Sequence, residues 1–234
     1  MWLIAEYEAV TLFSLKLSTA TSSGGKTLLV PTPYALKMAL LDSACRTLGV
    51  KQAESLWEQI RDLHVAIQPA SKIVVTNLFQ RILKPFKNPP KNGTPDSFGP
   101  FQRTIGYREY AQLIGPIGLA LELSETQKET FINLLLNINY FGKRGGFMQL
   151  IKIPLVTEEL PTQFVDATTQ QTSFSIFGTL QVMDDCSPNL PFERANIYSG
   201  VKLKDGDRIR RNIILPYRMT RSSKSFSFYE YVTD

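Results

Sequence analysis

Hydrophobic positions along residues 2–16, WLIAEYEAVTLFSLK, alternate in part and are rich in β-branched and aromatic side chains, a pattern that predicts a first strand. A polar loop, LSTATSSGGKTLLVP, follows, with Lys26 just beyond a Gly-Gly pair. The period then changes. Leu36, Leu40, Leu41, Ala44, Cys45 and Leu48 share one arc of a helical wheel, framed by Thr32 as N-cap, Pro33 at the first helical position and Gly49 past the end. Lys37 falls inside that arc, so its ammonium either snorkels past the core or meets an anion at the helix N-terminus. A second helical stretch, ESLWEQIRDL, comes next, and KIVVTNLFQRIL (72–83) predicts a strand. Beyond a proline-rich interval, TIGYREYAQLI and IGLALEL are strand-like.

The stretch Ser124–Leu150 reads as helix, basic glycine-rich loop and strand. Ser124 and Gln127 form a capping-box pattern, Glu129, Asn133 and Asn137 make a polar stripe, and Gly142 is placed to end the helix in a left-handed conformation. Up to about residue 155 the order is β-α-β-(arm)-β-α-β. That order predicts an α+β protein with a ferredoxin-like, RRM-type βαββαβ domain over 1–155. Residues 156–234 hold SFSIFGTLQVM, RRNIILPYRM and SFSFYEYV between proline- and glycine-rich turns, expected to form a small β-rich C-terminal extension.

The interval KPFKNPPKNGTPDSFGPFQR changes this picture. Its five prolines exclude it from a central strand. It is expected to be the irregular, basic tip of a β-hairpin thumb spanning about 84–104, carrying Lys84, Lys87, Lys91 and Arg103 among Phe86, Phe98 and Phe101. Charge follows the same division. The net charge is +5 overall, with +5 in residues 71–110, −5 in 155–200 and +4 in 201–234. Such asymmetry points to a polyanion on one face and leaves room for a basic protein partner on another. Hydrophobic residues make up 43% of the chain and no apolar run nears the ~20 residues of a membrane helix, so no membrane partner is expected. The N-terminus lacks a basic n-region, and Cys45 and Cys186 are the only cysteines, so a reduced cytoplasmic setting is the simpler expectation.

Candidate chemistry is sparse. His64 is the only histidine, no metal-ligand spacing is present, and no Walker, GxSxG or HExxH pattern occurs, so neither cofactor nor metal is expected. A metal-independent ribonuclease could still draw on Tyr34, Lys37, Tyr107 and Lys143. A single-strand binder needs basic grooves, aromatic platforms and backbone amides. Lys143 and Arg144, projecting from a turn kept open by Gly145 and Gly146, suit an anion or are simply solvated charges of a tight turn. Arg108 adds a cation in the TIGYREYAQLI strand, and Arg218, Arg221 and Lys224 alternate with Tyr217, Phe226 and Phe228 near the C-terminus.

Four stretches, TPYALKMALL, IVVTNLFQRIL, TIGYREYAQLIGP and the helix ending in FGKRGGF, cover about two-thirds of the chain. In this order they resemble the CRISPR-associated protein 5 family of the RAMP superfamily, and the last two are similar to type I-A or I-B members. The glycines of FGKRGGF are bunched, unlike the superfamily's spaced glycine motif. The resemblance implies a noncatalytic RNA-binding subunit of a type I Cascade surveillance complex. Such a subunit holds the 5′ handle of the crRNA, caps the filament of backbone subunits, contacts the large subunit and meets target DNA only through the complex. It further implies that Gly142, Lys143, Arg144, Gly145 and Gly146 form the glycine loop, that Thr32, Tyr34 and Lys37 face the handle, and that Lys84, Lys87, Lys91 and Arg103 lie on the thumb. It places the protein in a prokaryotic cytoplasm, in RNA-guided antiviral defence. Two readings stand beside it: a metal-independent crRNA-processing endoribonuclease, and a protein-interaction scaffold built on the acidic 155–200 segment.

Overall fold

The computed structural model describes residues 1–17, 20, 25–88, 100–143, 146–170 and 177–232, together with the backbone of 97–98. Strand β1 (Trp2–Ala9) leads through a long loop to helices α1 (Pro33–Thr47) and α2 (Val50–Arg61), then to β2 (Val65–Gln68). Strands β3 (Lys72–Pro85), β4 (Ser97–Phe98), β5 (Phe101–Ile114) and β6 (Ile117–Glu122) follow, then a short 3-10 turn, α3 (Lys128–Leu136) and β7 (Met148–Leu150). The remainder comprises β8 (Leu155–Thr157), β9 (Val165–Asp166), β10 (Thr179–Cys186), α4 (Phe192–Ala195), β11 (Arg208–Leu215), β12 (Tyr217–Ser222) and β13 (Phe226–Tyr231).

Among the described residues the strands form three antiparallel sheets. The first has the order β7-β1-β6-β2-β9, with β8 also paired to β1. Its β1 alternates as the sequence pattern requires: Leu3, Ala5 and Tyr7 point into the core and Trp2, Ile4 and Glu6 lie on the opposite face. The three long helices supply the other half of that core, with Leu40, Trp57, Phe131 and Leu135 almost fully buried. The polar atoms carried into this layer are satisfied: the Tyr7 hydroxyl donates to Leu135 O, Ser43 Oγ to Leu134 O and Trp57 Nε1 to Leu190 O, each at 2.8 Å. Thr32 caps α1 as its position predicts, its Oγ1 accepting from Ala35 N at 3.2 Å. Helix α3 ends earlier than its apolar run, at Leu136, where the Arg46 guanidinium donates to the Asn137 carbonyl at 2.7 Å. Gly142 therefore does not terminate the helix. It adopts its left-handed φ of +80° in the loop beyond.

The second sheet is the β10–β11 pair, packed on α1. The third, β12-β13-β3-β5-β4, contains the arm. Here the strand assignment needs correction. The 72–83 strand does not enter the first sheet. The short β2, VAIQ, takes that place beside β6, while β3 and β5 form a hairpin paired without interruption from Lys72↔Ile114 to Pro85↔Phe101. Regular pairing thus begins well below the 84–104 stretch, and Pro85 occupies the last rung, where a missing N–H costs least. Hydrogen bonding also crosses residue 155. Strand β8 joins β1, β9 joins β2, and β13 joins β3.

Candidate nucleic-acid interface

The root of the arm is where sequence-distant cations meet. The 140–147 loop turns back on itself through the Tyr140–Phe147 bridge and Phe141 N donating to Gly146 O at 3.1 Å. Gly146 donates to the Lys143 carbonyl at 3.1 Å. A Cβ at Gly146 would lie 2.8 Å from Phe141 O, and one at Gly142 would lie 2.6 Å from Leu15 Cδ1. Gly146 is therefore demanded by the close Phe141 carbonyl and Gly142 by its left-handed φ, while the Leu15 contact places this loop against the 13–16 segment. That segment in turn bridges β5: Phe13 and Ala111 exchange both backbone hydrogen bonds, at 2.8 and 2.7 Å.

Lys143 thereby comes near Arg108 on β5 and Lys16 on the loop. Partial burial and the like charges of Arg108 and Lys16 hold its ammonium below the usual lysine range. Three cations sharing one field favour an anion among them, because its charge relieves the repulsion that adds to burial in lowering Lys143. Beside them lies an open groove of about 700 Å³, lined by Leu12, Thr76, Leu78, Tyr110 and Phe147 among others. Leu78 pairs directly with Arg108 and Thr76 with Tyr110, so these residues share one face of the hairpin. Phe147, 47% exposed, and Leu12, 48% exposed, form the opposite wall. An apolar, aromatic trough flanked by cations is what unstacked bases on a phosphate chain require.

The arm's two faces differ. Lys84 continues the face of Arg108 and Leu78, whereas Arg103 lies opposite Leu83 on the other face. That second face carries Phe79, Leu83, Ile105 and Phe101, which are 65, 56, 62 and 40% exposed. Lys87 is exposed just past β3. Lys91, Arg144 and Gly145 lie outside the described residues. Arg218 and Arg221 are exposed on β12, an edge of the third sheet. Three strand spacings, about 14 Å, separate β12 from β5, so the sheet does not bring these two arginines to the Lys143 cluster.

The start of α1 differs from expectation. Thr32 is 1% exposed and its hydroxyl is spent on the cap. Lys37 neither snorkels nor faces a ligand: it is 2% exposed, and its Nζ sits 2.7 Å from Asp185 Oδ1. Asp185 is held also by Arg211 at 3.1 Å. Tyr34 is half-buried with the Arg208 guanidinium 3.8 Å above its ring, and Arg208 pairs with Asp184 at 3.0 Å. The paired strands β10 and β11 cover this helix start, and a buried ammonium needs that counter-ion. The acidic pair Asp184 and Asp185 is thus consumed in ion pairs.

His64 has both ring nitrogens engaged, Nδ1 with Glu122 Oε2 at 2.7 Å and Nε2 with Asp166 Oδ2 at 2.8 Å. Burial pulls its pKa down, but the two carboxylates outweigh this and raise it overall. Neither nitrogen is left to act as a base. Among the described residues no group of three or more histidine, cysteine or acidic side chains could hold a metal ion, and no helix is long and apolar enough to cross a membrane. Lys16, Tyr110, Leu12 and Phe147 were not singled out by the sequence as site residues. Lys16 had one available signal, a cation entering a glycine-containing loop; the others become neighbours only through the arm's pairing register.

No protein-family model matches the chain. A crystal structure of a CRISPR protein from Archaeoglobus fulgidus aligns with a TM-score of 0.47 and 11% identity, covering 100% of this chain and 92% of that one. A chain of a CRISPR RNA-guided surveillance complex aligns with a TM-score of 0.41 and 11% identity, covering 99% and 91%. In sequence, the chain is 23% identical over 229 residues to the CRISPR-associated protein Cas5 of Archaeoglobus fulgidus, spanning 95% of this chain and 96% of that protein. The chain is thus similar over nearly the whole length of both proteins to the CRISPR-associated protein Cas5.

Proposed function

We propose that this protein is a noncatalytic RNA-binding subunit of a type I CRISPR surveillance complex, holding the 5′ handle of the crRNA at the root of its arm. The single observation that carries this reading is the convergence of Lys16, Arg108 and Lys143 beside the Leu12–Tyr110–Phe147 groove. Phosphates would lie on the cations and bases on the aromatic walls. The order β7-β1-β6-β2, with β6 antiparallel between the strands joined by α1 and α2, supports the ferredoxin-like arrangement on which such a subunit is built. The apolar face of the arm, Phe79, Leu83, Ile105 and Phe101, suits a neighbouring backbone subunit of the same filament. Tyr34 and Lys37, on which a metal-independent nuclease would draw, are committed to partners inside the fold, which supports a role without chemistry.

Charge reversal at both Arg108 and Lys143 tests the assignment. The double variant is expected to bind repeat-derived RNA weakly. Its log–log salt slope should fall by about 1.4, at ~0.7 per lost phosphate contact on a single strand. Wild-type affinity and slope in a folded double variant would remove this site from the account.

A further inference from the structure

Glu109 is 8% exposed and sits beneath the cationic cluster, next in sequence to Arg108. On Coulomb grounds a carboxylate there works against an RNA ligand. Its contacts supply a reason for its presence. Oε2 accepts from Thr27 N at 2.9 Å, and Oε1 accepts from the Tyr107 hydroxyl at 2.8 Å. Tyr107 Oη also lies 3.1 Å from Asn77 Oδ1 on β3. The Glu109 carbonyl accepts from Ser14 Oγ at 2.9 Å. On the loop side, Thr27 Oγ1 accepts from Leu15 N at 3.1 Å, and Lys16 and Thr27 form a β-bridge. Through its carboxylate and its backbone carbonyl, residue 109 therefore ties β5 to both ends of the loop that carries Lys16, and Tyr107 extends the network to Asn77 on β3. Burial and this carboxylate push the Tyr107 hydroxyl up to about 12, so it remains a donor throughout the neutral range.

We propose that Glu109 is a positioning residue for RNA binding: through Thr27 its carboxylate fixes Lys16 beside Arg108 and Lys143, so that the third phosphate contact is preorganised. The role rests on the proposed function and assigns a task to a residue that touches no RNA itself. Preorganisation outweighs repulsion here because the carboxylate is met by two hydrogen-bond donors and touches no ligand itself, while Lys16 meets the ligand directly.

Two substitutions separate position from charge. Glu109→Ala removes the anchor and the charge; Glu109→Gln removes the charge but keeps an acceptor for Thr27 N and a partner for Tyr107. Repeat-derived RNA is titrated at several salt concentrations against each folded variant. Positioning predicts about tenfold weaker binding for Glu109→Ala, the size of one lost charge-assisted contact. Its salt slope should be lower by about 0.7, with no further loss on adding Lys16→Ala, whereas Glu109→Gln keeps the wild-type slope. If Glu109→Ala does not fold, Glu109→Leu takes its place under the same expectations. A charge-only role would make the Ala, Leu and Gln variants all bind more tightly, and that result, or an unchanged slope in Glu109→Ala, overturns the proposal. Wild-type protein that binds this RNA without salt dependence would instead bring down the proposed function and this role with it.

Discussion

Lys37 separates a structural cation from a ligand-binding one. Its ammonium and the Asp185 carboxylate are 2 and 5% exposed and 2.7 Å apart. Asp185 keeps two other donors, Arg211 at 3.1 Å and Cys186 N at 2.7 Å, whereas Asp185 is the one ion-pair partner found for Lys37 among the described residues. The two halves of the pair should therefore respond unequally. Asp185→Ala strands a buried ammonium, an error that costs about 3–5 kcal/mol. For a chain of this length that corresponds to a Tm lower by roughly 6–20 °C, at ~2–4 °C per kcal/mol. Lys37→Met replaces the ammonium with an apolar chain of similar volume and leaves Asp185 solvated by its other donors, so the loss should be about 1 kcal/mol. Combining the two should recover most of what Asp185→Ala alone removes. Thermal and denaturant unfolding of the four proteins give this cycle, and RNA titration of Lys37→Met should match wild type. A folded Lys37→Met that no longer binds RNA, or a double variant as unstable as the sum of the singles, would contradict a purely structural Lys37.

Three further outcomes follow from the geometry. The Glu122–His64–Asp166 bridge ties β6 and β9 to the residue that leads into β2, with His64 raised and Asp166 lowered from their ordinary values. The histidine's contribution is full below its unfolded pKa and lost as pH rises through the folded one. The aspartate's is full above its unfolded pKa and lost as pH falls through its folded one. The bridge is thus strongest between roughly pH 4 and 6.5, and the stability gap between wild type and His64→Gln should narrow from pH 6 to pH 9; a gap that stays constant contradicts the bridge. Gly146→Ala forces a Cβ to within 2.8 Å of Phe141 O, so calorimetry should show a loss of about 1–3 kcal/mol and RNA affinity should fall with it. Thr32→Ala loses the cap on Ala35 N, which should lower stability by about 1 kcal/mol in urea unfolding and leave RNA titration unchanged.

The local grammar of the chain was legible. Thr32 and Pro33 start α1, the 129-133-137 polar stripe faces solvent on α3 and its margin, and the hairpin strands of the arm stand close to where alternation placed them. What periodicity could not report was which strand pairs with which. Strand β2 has four residues and only one half-buried position, too short to show a period, so the longer β3 was assigned its place. Lys37 sits in an apolar arc for a reason lodged some 150 residues away, in Asp185, and no helical wheel carries that information. The same distance hides the cluster. Lys16, Arg108 and Lys143 look unrelated until the Phe13–Ala111 bridge and the 140–147 loop bring them together.

The proposed handle site puts RNA in the trough between the arm and the 140–147 loop. Ultraviolet cross-linking of repeat-derived RNA to the assembled complex, followed by mass spectrometry of the peptide adducts, reads that contact directly. Adducts on the peptides containing Tyr110 and Phe147, lost when Arg108 and Lys143 are reversed, are the predicted result. Adducts confined to β12 and β13, or unchanged in the reversed variant, would contradict it.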